Sequence, residues 1–278
     1  MRTFVRRRPV AAALFLVACG TGGDKPPVFT FDAATGADPD ASRLVPDASS
    51  DAPGPTTWCT GRPEVFCDDF DRPAFSAQNW LTRDLKGDSP GLPAGGLDTV
   101  SYTSAPNAFV ARTSALASGA FALLQIQASR PQSKSHVDAE LAFSVHVGAM
   151  DAASRLEIAR IEGVNPIDFS TYAVALSLSA SGASLAFEQG RGGSGGGPIV
   201  AAPPAVGAWT RITIQLGLDV VVNGAALPVT VQIGTAPPET FSIARGMGVS
   251  PRFALGLKVS GPSGPSEVTY DDVTFDAR

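Results

Sequence analysis

The sequence predicts an all-β fold, a two-sheet antiparallel sandwich running from Trp58 to the end of the 278-residue chain. Three observations predict it. Apolar and polar residues alternate with period two in five separate stretches, the pattern of strands with one face on a core. Clusters of Gly, Pro, Asn and Ser separate strand stretches, among them "SASG", "DVVVNGAALP" and "SGPSGP". No stretch carries a convincing helical period, and only Ala74–Gln78 suggests a single turn. A chain of this size buries a substantial core unaided, and sandwiches of about 220 residues commonly form one domain.

In chain order, "HVDAELAFSVHV" (136–147) reads as a long central strand. Leu141, Phe143, Val145 and Val147 take its core face, and Asp138, Glu140, Ala142, Ser144 and His146 take the other. The next stretch puts Val174, Leu176 and Leu178 inward, with Tyr172 on the same side, and Ala173, Ala175 and Ser177 outward. In "GAWTRITIQL" (207–216), Ile212, Ile214 and Leu216 oppose Arg211, Thr213 and Gln215. Leu227, Val229, Val231 and Ile233 follow, and Phe253, Leu255, Leu257 and Val259 make the fifth stretch.

The first residues address the compartment. "MRTFVRRR" carries four arginines and "PVAAALFLVA" follows, ten apolar residues where a membrane span needs about 20. This is the charged-then-apolar form of a secretory signal over residues 1–18. It ends in "LVAC", Leu16 to Cys19, which resembles the lipobox of bacterial lipoproteins. The resemblance implies cleavage before Cys19, acylation of its thiol, and a membrane partner through the lipid anchor. Gly20 rather than Asp points to the outer membrane, with the protein periplasmic or surface-exposed. Residues 19–57 follow, rich in Asp, Ala, Pro and Ser with "PDAS" twice, too poor in apolar surface to offset ordering, and read as a tether. The domain then spans 58–278. Besides Cys19 only Cys59 and Cys67 remain, an even pair for an oxidising compartment and a staple at the domain's N-terminal edge. Without the four leader arginines the chain carries 17 basic against 26 acidic residues, which argues against a nucleic-acid partner.

The order of landmarks suggests a family. "FCDDFD" opens the domain with Trp80 after it; "SAPNAFVA" (104–111), the 136–147 strand, "GAWTRITIQL", "VVVNG" and a closing "VTYDDVTFD" (268–276) follow. This resembles the concanavalin A-like lectin/glucanase jelly roll, close to laminin-G-like domains of bacterial surface lipoproteins. The resemblance implies two curved antiparallel sheets with a ligand-holding face, and by it Trp209 falls where a core-facing strand begins. It further implies a structural calcium where the first and last strands meet, with Asp69 and Asp271 as candidate ligands. Hard oxygen donors suit calcium, although the same acids can simply face solvent or cap turns.

The chemistry-bearing patterns are sparse. No Glu is followed two residues later by Asp, so the Glu-x-Asp-x-x-Glu signature of hydrolases with this fold is missing. A pair on separate strands stays open, for instance Glu140 with Glu157. His136 and His146 are the only histidines, without a nucleophile elbow or metal-ligand spacing. "GRGGSGGG" (190–197) lacks the Lys-Ser/Thr ending of a phosphate loop. The outward faces are small or polar, with little aromatic surface for stacking sugars. Glu140, Ser144 and His146 are the ligand-binding candidates. The sequence thus favours a non-catalytic module for glycan or envelope components, with a non-standard hydrolase or lyase, or a purely structural protein, as alternatives.

Overall fold

Alternation becomes fifteen strands among the described residues, with no helix. The computed structural model describes residues 58–61, 66–71, 80, 82–87, 94–129, 136–164, 171–189, 196–219, 227–243 and 251–278. The leader, Cys19, the tether, the Ala74–Gln78 turn and most of the glycine run at 190–197 lie outside them. The strands begin with β1 (Phe66–Asp68), β2 (Thr82–Gly87), β3 (Ala94–Asp98), β4 (Ala108–Thr113) and β5 (Phe121–Ser129). They continue with β6 (His136–Ala149), β7 (Arg155–Val164), β8 (Thr171–Ser179), β9 (Gly182–Gln189) and β10 (Gly196–Ile199). The last are β11 (Trp209–Asp219), β12 (Leu227–Ile233), β13 (Glu239–Ile243), β14 (Arg252–Ser260) and β15 (Ser266–Ala277).

They form two antiparallel sheets. One has eight strands in the order β13-β12-β11-β6-β15-β4-β3, with β1 also on β15; the other has seven, β10-β9-β8-β7-β14-β5-β2. Turn chemistry fits the connections. The β8–β9 hairpin closes Ser179 onto Gly182 through Ala180 and Ser181, and Gly182 sits at φ +149°, a region that disfavours side chains.

Every predicted core residue of the five stretches whose side chain is described is at most 4% exposed, Tyr172 included. Trp209 differs from expectation. It pairs across strands with His146 on the outward face, their rings 5.4 Å apart, because Ile212 and Ile214 hold the inward phase of β11. The core's N-terminal end is aromatic: Phe66 lies edge-on to Trp80 and Phe253, at 5.0 and 5.1 Å, and Phe253 packs on Phe275 at 4.7 Å.

This explains the acids inside "FCDDFD". Buried Asp68 accepts from the Trp80 indole N–H at 2.8 Å and from the Phe70 amide at 2.9 Å. It thereby fixes both the ring and the turn in which Phe70 adopts φ +56°. Cys59 and Cys67 form the expected disulfide, and the Cys59 amide approaches the Asp69 carboxylate at 3.3 Å.

Candidate functional site

Three regions carry polar chemistry. The first is an acidic corner. β4 and β1 lie along the same edge of β15, β4 against Ser266–Tyr270 and β1 against Val273–Phe275. Between them β15 bulges, since Asp271 pairs with Ser144 but Thr274 with Ala142, and Asp272 adopts φ +51°. The bulge turns Asp271 and Asp272 toward the residues that follow β1 and precede β4.

Asp271 is fully buried and held there by the β3–β4 loop. It accepts from the amides of Thr103 and Ser104 at 2.7 and 2.8 Å, the Ser104 hydroxyl at 3.1 Å and the Asp272 amide at 2.8 Å. Burial holds its pKa above the usual carboxylate value, against the pull of the Ser104 and Thr103 amides and helped by the Asp272 charge. Asp71 is pushed up to about 6, mainly by desolvation, with the charges of Asp69, Asp271 and Asp272 adding to it. The expected neighbourhood of Asp69 and Asp271 is therefore present, but Asp271 is spent on the loop. The atom left over is Asp272 Oδ1, buried without a hydrogen-bond partner.

The second region is the outward face of the eight-stranded sheet, which holds Glu140, Ser144 and His146. They share a face as predicted, yet the register spreads them out, with Glu140 and His146 about 20 Å apart along β6 at ~3.3 Å per residue. Ser144 is buried between Arg211 and Asp271. His146 packs on Trp209, with its Nδ1 buried and unpartnered. Glu140 alone faces a depression of about 370 Å³, beside Asp138, Asp276 and Arg278, and accepts from Gln215 at 2.7 Å. The pairing of Glu140 with Glu157 does not form, since the two strands belong to different sheets and the side chains leave opposite sides of the core.

The third region is the outward face of the seven-stranded sheet, and here a phase change in β7 matters. Glu157 pairs with Ser177 but Ala159 with Leu176, so Ile158 is an extra residue relative to β8. Both Ile158 and Ala159 turn to the core, and Glu157, Arg160 and Glu162 emerge together on the outside. Gly256 opposes this bulge at φ +142°, where a Cβ would come within 2.0 Å of the Leu124 carbonyl oxygen. From the other sheet, the buried Tyr270 hydroxyl meets the Ile158 and Gly256 carbonyl oxygens at 2.8 and 2.5 Å. Burial, with the charge of Glu157, raises the Tyr270 pKa well above its ordinary value.

Arg160 is the hub of the face. Its Nε reaches Glu162 at 2.6 Å, Nη1 reaches Glu157 at 3.3 Å and Nη2 reaches Glu188 at 2.7 Å. Burial opposes its charge, but the Glu188 hydrogen bond, the Glu157 charge and the Glu162 hydrogen bond hold the guanidinium above its ordinary pKa. Glu157 also receives Lys258 at 2.9 Å, and Glu162 receives Arg252 at 2.8 Å. Glu188 is desolvated, yet its pKa is lowered by the hydrogen bond and charge of Arg160. Two depressions of about 290 and 320 Å³ lie side by side here and share Glu157 and Lys258. Ala175 and Ala186 line the first of them, and Ala175, like Ala173 and Ala254 elsewhere on this face, points away from the core yet is nearly inaccessible. On β5, Phe121 is 39% exposed and begins an outward row of Leu123, Gln125 and Gln127.

Sequence reasoning missed Arg160, Glu162, Arg252, Lys258 and Phe121. The adjacent apolar pair Ile158–Ala159 was the available signal, since it breaks strict alternation.

No family model matches the chain, and no curated protein matches it. Among solved structures, the cellulose induced protein Cip1 superposes with a TM-score of 0.50 at 10% identity, over 75% of this chain and 95% of that one. Alginate lyase vAL-1 from Chlorella virus gives 0.49 at 10% identity, over 66% and 89%. At such identity the likeness is one of fold, and the chain is a jelly-roll sandwich of the concanavalin A-like kind.

Proposed function

We propose that this chain is a non-catalytic carbohydrate-binding module whose ligand lies across the outward face of the seven-stranded sheet. The observation that carries the reading is the Arg160-centred face: two adjoining depressions walled by charged and polar side chains, one of them lined also by Ala175 and Ala186, and an exposed aromatic ring at one end. Such a face suits an extended chain of hydroxylated rings, with amides and ion-paired side chains as hydrogen-bond partners and Phe121 for stacking. The name of Cip1, a cellulose induced protein, agrees with a carbohydrate context.

Binding is favoured over turnover by the state of the carboxylates. Glu157, Glu162 and Glu188 are each committed to Arg160, and the pKa of Glu188 moves down, whereas a general acid needs its pKa raised. No described residue on this face is His or Tyr, the usual bases for proton abstraction. The leader and Cys19 support display from the cell envelope through a lipid anchor, with residues 20–57 as the spacer. Depletion of the protein by an insoluble polysaccharide or peptidoglycan, without release of soluble sugar, is the expected outcome of a pull-down panel. Sugar release would make it an enzyme, and neither signal would move the weight to a structural role or a protein partner.

A structural calcium at the acidic corner is the second part of the proposal, and the unpartnered Asp272 Oδ1 supports it. No three acids among the described residues are grouped to hold a metal, so Asp272 would supply a carboxylate oxygen and backbone carbonyls and water the rest, while Asp271 would hold the loop instead of the ion. The ion's part would be charge neutralisation where the strand ends meet.

A further inference from the structure

We infer that the ligand of this face is an anionic polysaccharide, one carrying carboxylate or sulfate groups along its length. The inference rests on the carbohydrate-binding reading above and names its ligand class. Among the described side chains, the charged groups lining the two depressions are Arg155, Arg160, Arg252 and Lys258 against Glu157, Glu162 and Glu188.

They are not layered equally. Arg160 is 15% exposed and gives Nε, Nη1 and Nη2 to three carboxylates, so it has little left for a ligand. Arg252 and Lys258 stand at 42% and 41% side-chain exposure, above partners at 19% and 9%. Arg252 gives Nε to Glu162, which leaves the two Nη groups of a 42% exposed side chain for a ligand. Lys258 uses one of three N–H donors, on Glu157. A molecule entering from solvent over β14 therefore meets cationic donors first, with the matching carboxylates recessed behind them. Exposed Glu188 lies on the far side, on β9, which confines the attraction to the β14–β5 side of the groove.

Spacing selects a polymer. Arg252 and Lys258 are six residues apart on one strand, about 20 Å along the backbone, and their head groups are separated by the Glu162–Arg160–Glu157 chain of ion pairs, so two anionic groups rather than one small ion match them. On β5 alongside, Leu123 and the exposed Phe121 present apolar surface for ring faces, while Gln125 is buried among its neighbours. A planar guanidinium edge is matched to a carboxylate or sulfate, and Lys serves as a point charge for either. The chain as a whole is acidic, so attraction to a polyanion has to arise locally and be screened by salt within about 10 Å at 0.1 M.

The test is affinity electrophoresis of the full chain in gels containing polygalacturonate, dextran sulfate, an unsubstituted β-glucan or chitosan, at low and at high salt. Retardation by polygalacturonate or dextran sulfate, weakened by salt, is expected, and which of the two retards more assigns the anion. Combined Arg252→Gln and Lys258→Gln should weaken that binding at least tenfold, and Arg252→Lys with Lys258→Arg should largely preserve it, with the thermal melt confirming that both variants fold. Binding to β-glucan or chitosan alone, or polyanion binding indifferent to the double variant, would overturn the inference while leaving the carbohydrate reading in place. Retardation by none of the four would remove both.

Discussion

The Tyr270 hydroxyl, rooted in the eight-stranded sheet, lies 2.8 Å from the carbonyl oxygen of Ile158 in the opposite sheet. Ile158 is the extra residue of β7, and a bulge frees backbone groups from the ladder. Tyr270 supplies one O–H, which that carbonyl and the Gly256 carbonyl share as acceptors. Removing only the hydroxyl, in Tyr270→Phe, leaves a buried carbonyl unsatisfied at a cost of about 1–3 kcal/mol. A denaturant titration should show this loss with an unchanged slope.

Arg160 and Arg252 both pair with Glu162, but they should not be equivalent. Arg160→Met takes a partner from three carboxylates, of which Glu157 and Glu162 keep Lys258 and Arg252, and should cost toward the lower end of the about 3–5 kcal/mol typical of a broken buried pair, since the acids also keep some solvent. Arg252→Met removes an exposed partner and should cost no more than about 0.2–1 kcal/mol. Equal losses in thermal melts would contradict Arg160 as the hub.

Chelation tests the acidic corner. Calcium held there at about 100 times its dissociation constant adds about 2.7 kcal/mol, so a chelator should lower the melting temperature by several degrees. Asp272→Asn should make the melt indifferent to chelator. Asp271→Ala should lower the melt with or without chelator, because the Thr103 and Ser104 donors lose their acceptor. A wild-type melt unmoved by chelator would retire the calcium.

In calcium-free protein the Asp71 carboxyl should titrate near pH 6 in a carbon-detected NMR experiment, against an ordinary value of 3.8. The folded chain then binds that proton more tightly than the unfolded one. Asp71 therefore opposes folding increasingly as pH rises from about 4 to 6, and Asp71→Asn should flatten that slope. A midpoint near 4 would mean that the neighbouring charges are better solvated than the packing implies.

Reducing Cys59–Cys67 should remove about 2–3 kcal/mol by the chain-entropy estimate for so short a loop. The loss should appear first as exposure of Trp80 fluorescence, because Phe66 and Asp68 both hold that ring.

The sandwich was legible in the sequence because a half-buried strand repeats every two residues and burial enforces the phase. Leu141 to Val147 and Ile212 to Leu216 went where alternation sent them. The groove was not legible, since its residues answer to a different rule. Glu157 and Arg160 share a face only because Ile158 breaks the period, and Arg252 and Lys258 join them from a strand distant in sequence. The acidic corner was half legible. Asp69 and Asp271 do come together with Asp71 and Asp272 at one corner, but which oxygen lacks a partner depends on donors in the 103–104 loop, whose approach no linear pattern records. Glu140, Ser144 and His146 shared a face as expected and still make no common site, because a shared face on a long strand extends over many ångströms.

The extra residue in β7 is absorbed where it sits. Ile158 and Ala159 both take the inward side, so Glu157 and Arg160 keep Ser177 and Ala175 opposite them as they would in a strand one residue shorter. Deleting Ile158 would leave a strictly alternating strand with Glu157 still outward, and it would take away the carbonyl that meets the Tyr270 hydroxyl.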